Sequence, residues 1–162
     1  MNTQKHLYDL IKDFSTAMLV THGANGGMHG RPMRVAQLEP DADAYFATSI
    51  DSPKVAEIEA DPKVLVLFQS TTQFASLEGK ATIVRDRALI EKLWMKEWSI
   101  WFPGGKDDPS LVLVKVDTSA GEYWDNSGLS GVKYLIEAGK AYLSGERPDV
   151  ERDPQIHGKV AL

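Results

Sequence analysis

Apolar residues along this chain change their period several times, and each change marks an element. Leu7, Leu10, Ile11 and Phe14 share one helical face. Ala17 to Thr21 is a short apolar run followed by His22-Gly23-Ala24-Asn25-Gly26-Gly27, whose Asn-Gly pair signals a hairpin. The returning strand then runs from Gly30 to Leu38, and a third from Ala44 to Ser49 beyond a turn at Pro40 to Asp43. Pro32 cannot donate to a ladder, which predicts an edge or a bulge and leaves backbone there free to face a ligand. Ser52 as N-cap and Pro53 at the first helical position open a short helix through Val55, Ala56 and Ile58 that Asp61-Pro62 stops. Two strands follow, Lys63 to Gln69 and Phe74 to Arg85, the second bending at Gly79. Ile90, Leu93, Trp94, Glu97, Trp98 and Trp101 trace a helix ending at Pro103-Gly104-Gly105. Leu111 to Val116 and Glu122 to Asp125 predict further strands, and Val132 to Tyr142 a helix capped by Gly145. The expectation is a mainly β (α+β) fold, an antiparallel sheet closing into a barrel with flanking helices. Residues 1–145 would form one domain and residues 146–162 a loosely held tail.

Composition narrows the choice of partner. The 162 residues suit one well-filled core. A net charge of −5, with no run of Lys and Arg, argues against nucleic acid. The absence of cysteine removes disulfides and thiol chemistry. Met1 to Asp13 is polar and amphipathic, and no apolar run reaches spanning length, so a cytoplasmic protein without membrane contact is expected.

The candidate chemistry lies at strand ends. Arg31 opens one apolar stretch, while Thr48, Ser49, Ser52 and Lys54 follow another. Two cations and three hydroxyls would suit a phosphate monoester, because guanidinium and ammonium supply charge-assisted donors. Each residue also has a plain structural role: exposed charge for the cations, strand end for Thr48 and Ser49, helix cap for Ser52. Trp94 and Trp98 are assigned to packing, whereas Trp101 keeps a functional reading. Glu57 and Glu59 belong to a solvated helical face, and Asp107 and Asp108 to a turn or N-cap. His22 and His29 flank the hairpin without a third metal ligand, so no metal is expected.

These residues carry a resemblance. The order Arg31-Pro32-Met33, Phe46-x-Thr48-Ser49, Lys54, Asp61-Pro62, Trp101-Phe102-Pro103-Gly104-Gly105-Lys106-Asp107-Asp108-Pro109 and Glu122-Tyr123-Trp124-Asp125 resembles the general stress protein branch of the pyridoxamine 5′-phosphate oxidase-like flavoproteins. The match covers roughly Leu7 to Asp125, and the Trp-Phe-Pro-Gly-Gly run is its most specific part. The resemblance implies a six-stranded antiparallel split β-barrel, FMN as cofactor, and a homodimer with FMN in clefts between subunits. It implies that Arg31 and Lys54 hold the FMN phosphate with Thr48, Ser49 and Ser52, and that the Pro32-Met33 main chain runs along the isoalloxazine edge. Gln73, Phe74 and Ser76 would approach the flavin from the partner subunit, with Trp101 and Phe102 near the ring or the mouth above it.

Departures from the pattern bear on activity. Ala36 stands where the true oxidases place a substrate-phosphate lysine, and Gln155-Ile156 precede His157 without the oxidases' arginine. Oxidation of vitamin B6 is therefore not expected, and no catalytic residue is assigned. Three functions stay open: a flavin-dependent oxidoreductase using NAD(P)H or another small-molecule donor, a flavin store or sensor without turnover, and a split barrel holding a deazaflavin or haem. A six-stranded barrel of this length has too little interior for a large planar ring, which again favours a cleft between subunits.

Overall fold

In a computed structural model of the chain, residues 2–150 and 152–162 are described; Met1, in the expected domain, and Glu151, in the expected tail, lie outside the described residues. The chain opens with α1 (Thr3–Ile11), β1 (Thr16–His22), β2 (Met28–Leu38), β3 (Ala44–Ser49) and α2 (Pro53–Ala60). It continues with β4 (Lys63–Gln69), β5 (Gln73–Val84), α3 (Arg87–Leu93), β6 (Leu111–Asp125), α4 (Gly128–Ser144) and β7 (His157–Ala161). Strand order β3-β2-β1-β4-β5-β6 is closed by pairing of β3 with β6, from Ala44↔Val116 to Ser49↔Leu111. The result is a closed six-stranded antiparallel barrel with four α-helices around it.

The β1–β2 turn follows from its residues: Gly26 takes φ +79° and the Asn25 side chain accepts from the Gly27 N–H. Among the described residues, β2 has only β1 beside it from Met28 to Arg34, because its pairing with β3 begins at Val35. Pro32 thus sits on an edge, as its missing N–H requires. The bend expected at Gly79 is a bulge between Glu78 and Gly79. The main core gathers Leu7, Leu10 and Ile11 of α1 with Leu19, Phe46, Val66, Phe68, Leu77 and Tyr123 from the strands. A second cluster joins Ile90, Leu93, Trp98, Phe102, Leu111 and Leu113.

Three expectations are corrected. The helix expected to run from Ile90 to Trp101 breaks at Trp94, whose ψ of 130° leaves the helical region, and Lys96–Ile100 forms a 3-10 turn. A continuous helix would carry Trp101 about 16 Å from Ile90. The break instead folds Trp98 and Phe102 back onto Ile90 and Leu93. The two strands expected between Leu111 and Asp125 are one, β6, whose middle loses the apolar alternation where β3 leaves its edge and β7 takes over. The loose tail is also corrected: β7 pairs with β6 from Ala120↔Ala161 to Trp124↔His157, with Ile156 and Val160 buried and the Tyr123 hydroxyl donating to Pro154 O at 2.6 Å.

The α4 helix ends at Gly145 in the left-handed region, as its glycine predicts. It buries only Ala141, and Leu129, Val132, Leu135, Ile136, Tyr142 and Leu143 are exposed. Among the described residues, no helix is long and apolar enough to cross a membrane.

Candidate functional site

A cleft of about 390 Å³ opens where the free edge of β2, the end of β3, the start of α2 and the Trp98–Phe102 segment meet. Pro32, Met33, Thr48, Ser49, Ser52, Lys54, Trp101 and Phe102 of the expected site all line it. Arg34, Ala47 and Trp98 line it too. Trp98, expected to pack, belongs to the second core cluster and to the cleft wall at once, and its buried indole N–H has no acceptor among the described residues. Volume alone does not single out this cleft, since others of about 400 Å³ beside Lys63 and Lys80 and about 460 Å³ beside Asp9 and Gln69 exceed it. Its lining does.

Lys54 stands in the first turn of α2, and its ammonium donates to Thr48 Oγ1 at 2.8 Å and Ser52 Oγ at 2.6 Å. Ser52 does occupy the N-cap position, but its hydroxyl makes no cap hydrogen bond and turns to Lys54 instead. Burial, and then the neighbouring Arg31 charge, push the Lys54 ammonium below its ordinary pKa. Among the described residues no carboxylate forms an ion pair with Lys54; its partners are neutral oxygens. A half-buried cation beside a second cation, among hydroxyls, is built to receive an anion.

Arg31 does not line the cleft. Its guanidinium donates to Thr21 Oγ1 at 2.5 Å and to Glu57 Oε2 at 3.0 Å. Glu57 also accepts from the Thr21 hydroxyl and from His29 Nδ1, the latter at 2.8 Å. The solvated face expected for Glu57 is therefore not what the structure shows, because its side chain is only 14% exposed. The Thr21 and His29 hydrogen bonds, with the Arg31 guanidinium, lower its pKa from an ordinary 4.5 to about 2. No local sequence signal marks Glu57, since its partners come from β1 and β2.

Met33 turns its side chain into the main core, so what it offers the cleft is chiefly main chain on the unpaired edge. Phe102 is buried against Trp98, whereas Trp101 is 70% exposed at the mouth. Asp108 pins this loop by accepting from Gly104 N–H at 3.1 Å, Ser110 N–H at 3.0 Å and the Ser110 hydroxyl at 2.7 Å, the turn role its position predicts. Arg87 ties the same loop to the barrel through Asp108 O at 2.9 Å and Leu111 O. Gln73, Phe74 and Ser76 do not line this cleft. Gln73 donates to Asp125 and Ser127, Phe74 lies opposite Trp124, and Ser76 borders a separate cleft beside Glu122.

Fold and cleft together define a closed split-type barrel with a cationic, hydroxyl-lined pocket beside a free strand edge. The chain belongs to the pyridoxamine 5′-phosphate oxidase-like family, whose model matches residues 2–149. It is 33% identical over 78 residues to general stress protein 26 of Bacillus subtilis (strain 168), a match covering 45% of this chain and 55% of that protein. Among solved structures, the general stress FMN/FAD binding protein of Xanthomonas citri is 32% identical, with a TM-score of 0.67 over 78% of this chain and 90% of that one. General stress protein 26 of Bacillus anthracis is 28% identical, with a TM-score of 0.68 over 76% of this chain and 94% of that one.

Proposed function

We propose that this protein binds FMN in the cleft, as a homodimer, with the phosphate held by Lys54, Thr48, Ser49 and Ser52 and supported by Arg31. The observation that carries this reading is the Lys54 ammonium, depressed by burial and by Arg31 and bonded only to neutral hydroxyls. A phosphate would complete its coordination and relieve the repulsion between the two cations. The unpaired Pro32-Met33 edge offers main-chain groups to a heterocycle, and Trp101 and Phe102 offer apolar surface beside it. A cleft of this size lies within the ~300–1,000 Å³ range of ligand pockets. The Xanthomonas citri relative, described as FMN/FAD binding, supports the same choice.

Gln73, Phe74 and Ser76 sit outside their own protomer's cleft, and in this reading they reach the flavin of the partner subunit. FMN, once bound, supplies hydride or electron transfer, which makes the protein a flavin-dependent oxidoreductase with a small-molecule donor such as NAD(P)H. This chain's own residues bind the phosphate, orient the ring and cover one side of it. Among the described residues, the lining holds no carboxylate and no imidazole. That favours a second reading, a cytoplasmic flavin store or sensor without turnover.

One set of measurements tests both. Purified protein is expected to show flavin absorbance or to take up FMN on titration, and Lys54→Ala to weaken binding at least about tenfold, the scale of a charge-assisted hydrogen bond. A featureless spectrum with a flat titration overturns the assignment. Anaerobic NADPH separates the two readings, since bleaching of the flavin bands marks an oxidoreductase and an unchanged spectrum a store or sensor.

A further inference from the structure

We infer that Glu57 is a positioning residue for the phosphate end of the cleft: its carboxylate, backed by Thr21 and His29, fixes the Arg31 guanidinium beside Lys54. This rests on the FMN reading above and adds a residue that makes no contact with the cleft itself. Glu57 lies one turn after Lys54 on α2, so the two share a helical face, Glu57 holding Arg31 and Lys54 close enough to feel its charge. One carboxylate oxygen takes Arg31 Nη2 and the Thr21 hydroxyl, and the other takes His29 Nδ1. Thr21 is fully buried and also accepts from Arg31 Nη1, so both terminal guanidinium nitrogens are held. These two bonds use two of five guanidinium donors, which leaves three for a ligand. Without Glu57, a long flexible arginine side chain beside a second cation would turn toward water.

Removal of Glu57 is expected to act with a counterintuitive sign. A carboxylate close to a phosphate site repels the ligand, so removing it should tighten binding if electrostatics alone mattered. If Glu57 aims Arg31, removing it weakens binding, and only for ligands with a phosphate. The experiment is a titration of wild type, Glu57→Ala and Glu57→Gln with FMN and with riboflavin, which lacks the phosphate, alongside melting curves. Wild type is expected to prefer FMN. In Glu57→Ala the ratio of FMN to riboflavin affinity falls about tenfold while riboflavin affinity stays within about twofold. Glu57→Gln, which keeps an acceptor oxygen, recovers part of the ratio, and in an Arg31→Ala background Glu57→Ala causes no further fall.

A ratio that is unchanged or raised in Glu57→Ala overturns the inference. Equal loss of both ligands also overturns it, because that marks a general packing defect. If Glu57→Ala does not fold, Glu57→Gln decides, and an unaltered ratio there is fatal. A wild type that binds neither flavin removes the FMN reading and this inference together, whereas a wild-type preference for FMN that no Glu57 variant alters removes this inference alone.

Discussion

At the scale of single residues, Glu57 and Lys54 show how far neighbours from distant segments reset ordinary chemistry. Glu57 is held down to about 2 by hydrogen bonds from Thr21 and His29 and by Arg31, against the burial that pulls the other way. A carboxylate whose folded pKa lies below its unfolded value adds stability above the unfolded value, and that stability is lost as pH falls through the folded one. The window here runs from about pH 4.5 down to about pH 2. Glu57→Gln should therefore be less stable than wild type at neutral pH and show a shallower decline between pH 5 and pH 2, measured as urea midpoints. Matching slopes would mean that the carboxylate is not engaged in the folded protein. That Thr48, Ser49, Ser52 and Lys54 share one cleft follows from their closeness in the sequence, whereas Arg31, inside β2, stays outside its lining. Glu57 and Trp98 could not, because their significance depends on side chains from elements far away in the chain.

At the scale of elements, local signals worked wherever an element's partners matched its own period. β3 and β4 have the bounds that alternation and flanking turns predict, and α2 begins at Pro53 and ends before Asp61-Pro62. Local signals failed where a neighbour changes. The middle of β6 reads as a gap because it passes from β3 to β7, and the stretch after Leu93 reads as helix although the second core needs it folded back. β7 is short, and its one buried residue, Val160, reaches the main core only because β7 docks on β6 beside α1. Gly158 shows how tightly it docks: a Cβ there would lie 2.5 Å from the Tyr123 ring. Gly158→Ala is expected to cost about 1–3 kcal/mol, the range for an overpacked site, seen as a melting temperature lower by several degrees. A melting temperature equal to wild type would mean that β7 is held loosely after all.

At the scale of the whole molecule, the proposed FMN site, completed by a second copy, is a proposal about assembly. In the proposed homodimer, the exposed apolar face of α4, with Leu129, Val132, Ile136 and Leu143 at helical spacing, is the surface for the second copy. Sedimentation of the purified protein should give twice the protomer mass, and Ile136→Glu should lower the dimer fraction. A monomer at tens of micromolar that keeps wild-type FMN affinity would refute the shared site. The mainly antiparallel strand pattern with flanking helices was legible in advance, the six-stranded count came with the family resemblance, and the pairing of β3 with β6 that closes the barrel joins segments separated by α3 and a long loop.

The sequence by itself determined that the segments of β1 to β5 become strands, where α2 starts and stops, and that Thr48, Ser49, Ser52 and Lys54 lie close together, because these depend on residues near one another in the chain. Tertiary structure alone decided that β3 closes the barrel onto β6, that β7 takes over the edge β3 leaves, that α3 breaks at Trp94, and that Glu57 grips Arg31. Each of these depends on contacts between residues far apart in the chain, whose stabilisation exists only once the elements have packed.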